Sequence, residues 1–216
     1  MNVIFGASGH AREIAYFLGN ARLWPTLAGA ADAPLAYFVD ATAGPALPAA
    51  PVIAESDFEQ LLATAPEPVR AYIAIGNAAV RRAILRRFSG FASLTFPTLL
   101  DKSVTGDFAR ISLGAGNILF PMVVLTTDIR IGQHNHFNLG TSISHDCVMG
   151  DYNTLSPGVR IAGNVTIGNR NFFGTGASVI DNITVGDDII IGAGAVVVSN
   201  LTAPGTYVGV PAKRLK

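Results

Sequence analysis

A chain of 216 residues that is 50% hydrophobic and 14% charged, with a formal net charge of zero, excludes disorder and has room for two small domains or one large one. Its 15 Lys and Arg residues form no stripe of the kind a nucleic-acid partner needs. The single cysteine, Cys147, excludes an intrachain disulfide and is compatible with a reducing compartment. The opening MNVIFGASGH lacks a basic n-region, and no apolar run approaches about 18 residues, so neither a signal peptide nor a membrane span is expected. A cytoplasmic protein follows.

Asn2–Phe5 reads as a strand ending in the turn Gly6-Ala7-Ser8-Gly9-His10, and Ala11–Leu18 as a helix with Ile14, Phe17 and Leu18 on one side. Ala36–Val39 is a second strand ending at Asp40, and the Pro- and Ala-rich segment Ala41–Ala54 reads as loop. Ser56–Ala63 is a short helix with Ser56 as its cap. Ala71–Ile75 is a third strand ending at Gly76-Asn77. Ala78–Phe88 is a helix capped by Asn77, and Leu94–Phe96 a fourth strand. The cluster Arg81, Arg82, Arg86 and Arg87 reads as a solvated helix face. Alternating strands and helices predict a small Rossmann-like parallel sheet over 1–97. Ligands of such sheets sit outside the strands' carboxyl ends, which here carry Gly6–His10, Asp40 and Gly76-Asn77. The first turn suits a phosphate. It lacks the full dinucleotide fingerprint, since Arg12 stands where a third Gly would be, and this disfavours an NAD enzyme.

From Leu113 to Val197 every sixth residue is apolar, fifteen in one register: Leu113, Leu119, Leu125, Ile131, Phe137, Ile143, Met149, Leu155, Ile161, Ile167, Phe173, Val179, Val185, Ile191, Val197. Neither a helical nor a strand period produces this. It is the signature of a parallel β-helix with three hexads to the coil, hence five coils over 98–200 followed by a tail at 201–216. The residue after the anchor is often Gly. The residue four after it is small, amide or β-branched (Val123, Thr141, Cys147, Asn153, Val159, Ala195) and faces inward.

His145 is the third residue of its hexad, an outward slot, and is followed by Asp146, the arrangement of a general base with a carboxylate helper. One coil of 18 residues above lies Gly163, whose uncluttered N–H suits an oxyanion. Cys147 occupies an inward slot and reads as a core filler rather than a nucleophile. His134 and His136 read as exposed histidines near a corner. No Cys or carboxylate completes a ligand set nearby in sequence, so no metal is expected.

The hexad lattice, Ile143-Ser144-His145-Asp146-Cys147 and the terminal Gly209-Val210-Pro211-Ala212-Lys213 resemble the left-handed β-helix acyltransferases. Phe5-Gly6-Ala7-Ser8-Gly9-His10 and Ala74-Ile75-Gly76-Asn77 resemble the branch with an N-terminal sugar-nucleotide-binding domain. That branch acetylates UDP-linked 4-amino sugars, GDP-perosamine or sialic acids. The resemblance implies a homotrimer with acetyl-CoA along the rod, a nucleotide-linked amino sugar as acceptor in glycan biosynthesis, and no metal. It implies His145 as base, Asp146 as its neighbour and Gly163 at the acetyl carbonyl. It places Asn138 near the substrate, Thr175 and Ala193 along the pantetheine, and Gly9, His10, Asp40 and Asn77 at the nucleotide sugar. Some relatives carry a second histidine near CoA where this chain has Thr154. The implied activity is direct N-acetyl transfer. Sugar O-acetylation and a non-catalytic nucleotide-sugar-binding rod are the alternatives.

Overall fold

The computed structural model describes residues 1–25, 28–29 (backbone only), 34–65 and 68–215, and divides into two compact units, Met1–Leu99 and Leu100–Lys216.

In the first unit the chain runs β1 (Asn2–Phe5), α1 (Gly9–Leu18), β2 (Ala21–Leu23), β3 (Ala28–Gly29), β4 (Leu35–Asp40), β5 (Gly44–Leu47), β6 (Ala50–Ala54), α2 (Glu55–Thr64), β7 (Val69–Ile73), α3 (Ala78–Phe88) and β8 (Leu94–Thr95). The main sheet has the order β5-β6-β4-β1-β7-β8. Every pairing in it is parallel except the β5–β6 hairpin. Its core gathers Val3, Phe5, Val39, Phe58, Ile84 and Phe88, with the Phe5 ring 5.5 Å from Phe58 and 5.0 Å from Phe88. The expected loop at Ala41–Ala54 is thus a hairpin. Prolines and alanines conceal an alternation in which Ala50 and Val52 are buried while Pro51 faces solvent. The cap of α2 also differs. The helix starts at Glu55 after Ala54, without a side-chain cap, and Ser56 lies inside its first turn. Asn77 caps α3 as its sequence suggests, accepting from the N–H groups of Ala79 and Val80.

The second unit is a parallel β-helix. One face stacks Ile118–Leu119, His136–Phe137, Thr154–Leu155, Phe172–Phe173 and Ile189–Ile191. The second stacks six strands, Thr105–Gly106 through Ser142–Ile143 and Arg160–Ile161 to Val196–Val197. The third stacks five, Ile111–Leu113 to Thr184–Val185. Each pairing joins residues one coil apart, as Ser142 with Arg160. All fifteen anchors are at most 8% exposed. At the carboxyl end, Gly205–Val208 pairs with Ile189–Ile191 and so extends the first face beyond the last hexad.

Two further lattices hold the coils. Asn117, Asn135, Asn153 and Asn171 form a buried ladder in which each Oδ1 accepts the N–H one coil on, at 2.8–2.9 Å. The Nδ2 groups of Asn117, Asn135 and Asn153 also donate to backbone carbonyls, which offsets the cost of burying the bend, while Asn171 Nδ2 is buried without a partner among the described residues. Second, every sixth residue from 116 to 194 has a positive φ between 54° and 71°. Five of these fourteen are Gly and five are Asn or Asp, the residue types that tolerate the left-handed region.

Candidate active site

His145 follows the second-face strand Ser142–Ile143, at the corner leading to the third face. Asp146 is one of the left-handed corner residues, with φ 59°. Its Oδ2 lies 2.8 Å from His145 Nδ1, with both side chains exposed. A carboxylate at that distance accepts a hydrogen bond from Nδ1–H, which favours the tautomer whose Nε2 carries the free lone pair. Gly163 stands against the same ring. A Cβ built there would lie 2.6 Å from His145 Cε1 and 2.7 Å from Nε2, so only glycine leaves the imidazole in place. The Gly163 carbonyl accepts from Asn182 N–H, while its own N–H has no acceptor among the described residues. Beneath the corner, Cys147 is 3% exposed, with Sγ 3.2 Å from the Ala162 carbonyl. Burial pushes this thiol up, away from thiolate chemistry.

A groove of about 420 Å³ lies on the second face, lined by Ser142, Ser144, Arg160, Ala162, Ser178 and Asp181 among others, the neighbours in sequence of the corner residues rather than His145 or Gly163 themselves.

Not all the sequence candidates gather here. Thr154 is half-buried on the first face, level with His136 and Phe172. Asn138, Thr175 and Ala193 lie at the corner between the first and second faces. There Asn138 Oδ1 accepts from Leu139 N–H, and Gly194 N–H donates to the Thr175 carbonyl. One chain therefore brings together His145, Asp146 and Gly163 and leaves the other four on a separate corner and face. His134 and His136 are 6% and 2% exposed, not solvent-facing as expected. The His134 ring stacks on Tyr152 at 5.5 Å, and His136 stands in line with Ile118 and Thr154. Among the described residues no group of three His, Cys, Asp or Glu could hold a metal ion, and no helix is long and apolar enough to cross a membrane.

In the first unit, Gly9 and His10 open α1 at the carboxyl end of β1, Asp40 ends β4, and Asn77 follows β7. Since β1 pairs in parallel with both β4 and β7, all four residues share one sheet edge. Asp40 Oδ1 accepts from Ala41 N–H at 2.7 Å. His10 Nδ1 lies 3.3 Å from Glu13 Oε2. Burial lowers the His10 pKa below 6.5. Glu13 opposes that shift and the Arg81 charge reinforces it. Arg81 itself corrects the reading of a solvated arginine face, because it is fully buried.

A parallel β-helix bearing a His–Asp pair under a glycine, preceded by a small α/β sheet, defines a class of two-domain acyltransferases. Comparisons with known proteins agree. Residues 3–88 match the model of the PglD N-terminal domain. The structure of PerB from Caulobacter crescentus in complex with CoA and GDP-perosamine aligns over 100% of this chain and 97% of its own. It does so at 30% identity with a TM-score of 0.87. WeeI from Acinetobacter baumannii AYE aligns over 100% and 99% at 28% identity, TM-score 0.83. The acetyltransferase domain of PglB from Neisseria gonorrhoeae FA1090, in complex with acetyl coenzyme A, aligns over 99% and 98% at 26% identity, TM-score 0.84. A search of curated proteins finds no match. The chain belongs to the left-handed β-helix sugar acetyltransferases that carry an N-terminal PglD-type domain, and it is an acyltransferase.

Proposed function

We propose that this protein transfers the acetyl group of acetyl-CoA to the amino group of a nucleotide-linked amino sugar, with His145 as general base. The observation that carries the reading is the corner itself. His145 is oriented by Asp146 at 2.8 Å, pressed by Gly163 and otherwise open to solvent. The relatives support the substrates: PerB was crystallised with CoA and GDP-perosamine, and the PglB domain with acetyl coenzyme A.

In this mechanism the sugar amine attacks the thioester carbonyl. His145 Nε2 takes the proton the nitrogen gives up, and Asp146 stabilises the resulting imidazolium. The Gly163 N–H donates to the carbonyl oxygen as it gains charge. The carbon–sulfur bond then breaks, and the imidazolium proton neutralises the departing thiolate. The buried, up-shifted Cys147 takes no part, so the acetyl group passes directly to the amine. In the N-terminal domain, residues 1–97 in this reading, Gly9, His10, Asp40 and Asn77 hold the nucleotide portion. The helix N-termini of α1 and α3 and the strand-end loops favour phosphate there.

The working form in this reading is a homotrimer. Asn138, Thr154, Thr175 and Ala193 contact substrate or CoA, yet sit away from the His145 corner of their own chain. A complete site then needs the corner of one copy against that of another, which closed cyclic symmetry supplies. Exposed Phe172 and Ile190 on the first face and Val124 on the second are apolar surface available to such a contact.

The test is thiol release from acetyl-CoA against a panel of nucleotide-linked amino sugars and their hydroxyl counterparts. Turnover only with amino sugars, lost in His145→Ala, supports the reading. Turnover with hydroxyl acceptors alone makes the enzyme an O-acetyltransferase. Binding without turnover makes it a non-catalytic rod.

A further inference from the structure

Helix α3 carries four arginines, of which Arg82, Arg86 and Arg87 are exposed and pair, where they pair, at the surface; Arg87, for example, reaches Glu55 and Glu59. Arg81 differs. It is 0% exposed and shares the buried face of the helix with Ile84 and Phe88, at i+3 and i+7. An aliphatic side chain would fill that position without cost, whereas a guanidinium must give up its hydration and be repaid in hydrogen bonds. Arg81 Nη1 donates to the carbonyls of both Ile75 and Gly76, each at 2.8 Å.

Those two carbonyls belong to the loop between β7 and α3. The loop is also held from its other side. Asn77 Oδ1 accepts from Ala79 and Val80 N–H at 2.9 and 3.2 Å, and the Asn77 carbonyl accepts from Arg81 N–H at 3.1 Å. The neighbouring strand-end loop leans on it. Gly6, at φ 100°, leaves no slack, since a Cβ there would come within 3.3 Å of the Ala74 carbonyl oxygen and of Ile75 Cγ1. The loop after β1 and the loop after β7 are thus one packed pair, with the N-termini of α1 and α3 opening at it. A full positive charge lies buried beneath, adding to the partial positive charge of the two helix ends.

We infer that Arg81 is a positioning residue of the nucleotide-sugar site, fixing the Ile75–Asn77 loop and supplying a cation beneath the two loops that receive the phosphates. The inference rests on the nucleotide-sugar reading given above and adds to it a residue without surface exposure.

The experiment compares Arg81→Met and Arg81→Lys with Asp40→Ala in steady-state kinetics on the intact protein, varying nucleotide amino sugar and acetyl-CoA separately. Arg81→Met is expected to raise the KM for the sugar nucleotide about tenfold or more, with the KM for acetyl-CoA unchanged. Arg81→Lys keeps the charge without the fork and should recover part of that loss. An unchanged sugar KM in Arg81→Met overturns the inference. So does an equal rise in both constants, which marks general damage. If Arg81→Met does not fold, Arg81→Lys decides on the same criteria. A sugar KM raised by Asp40→Ala but untouched by either Arg81 variant overturns the role of Arg81 and leaves the site standing. A wild-type protein that binds no nucleotide amino sugar in calorimetry overturns both.

Discussion

The two units solve the same problem, burying apolar surface beneath the candidate site residues, by opposite means. In Met1–Leu99 the cluster around Phe5 is irregular, with Phe5 meeting Phe58 and Phe88 from helices far apart in sequence. In Leu100–Lys216 the core is a column repeated coil after coil, each anchor resting on the one a coil below. A repeat contacts only its neighbours, so register alone decides which side chains meet. In the irregular unit, topology decides. The chemistry divides accordingly. The His145–Gly163 contact follows from a spacing of one coil, whereas Gly9, Asp40 and Asn77 share an edge only because β1 pairs with both β4 and β7.

The sharpest way to break this contrast is to charge a column. Ile161→Asp would bury an unpaired carboxylate among stacked anchors, 1% exposed, and should cost several kcal/mol, about the price of an isolated buried ion. Thermal melting by circular dichroism reads it, and a melting temperature near wild type would deny that the anchors form a packed column. Next in size is the corner. His145→Ala is expected to lower turnover by about 10²–10⁴-fold with an unchanged melting temperature. Its deficit should shrink at high pH, where more of the acceptor amine is already neutral. Gly163→Ala tests register directly. The added methyl must displace the His145 ring, and a misplacement of this kind can cost about 10²-fold. Wild-type kcat in Gly163→Ala would show that the ring position is irrelevant. Asp146→Asn should lose less than either, because it removes the helper and leaves the proton acceptor.

The smallest effect belongs to the irregular unit. His10 has a folded pKa below its unfolded value of 6.5, chiefly through burial. The folded state therefore binds fewer protons, and the stability His10 contributes is full above that value and is lost as pH falls through the folded pKa. His10→Gln should flatten this part of the stability–pH curve, measured by denaturant midpoints between mildly alkaline and mildly acidic buffer. A curve of unchanged slope would mean that His10 is not the group responsible.

Much of the solenoid was legible from residues alone, because period six is a local property: inside and outside, the stacking interval, and the glycine over His145 all follow from counting. The left-handed corner lattice and the asparagine ladder obey the same spacing and could have been counted too. Asn117, Asn135, Asn153 and Asn171 were the available signal. Tertiary structure alone decided the rest. Proline and alanine hid the β5–β6 hairpin, whose alternation emerges only once Val52 packs beside Phe38. Arg81 looks like its exposed neighbours in sequence, and it is buried because the face of α3 it shares with Ile84 and Phe88 turns inward, a choice made by packing rather than by any residue of the helix alone.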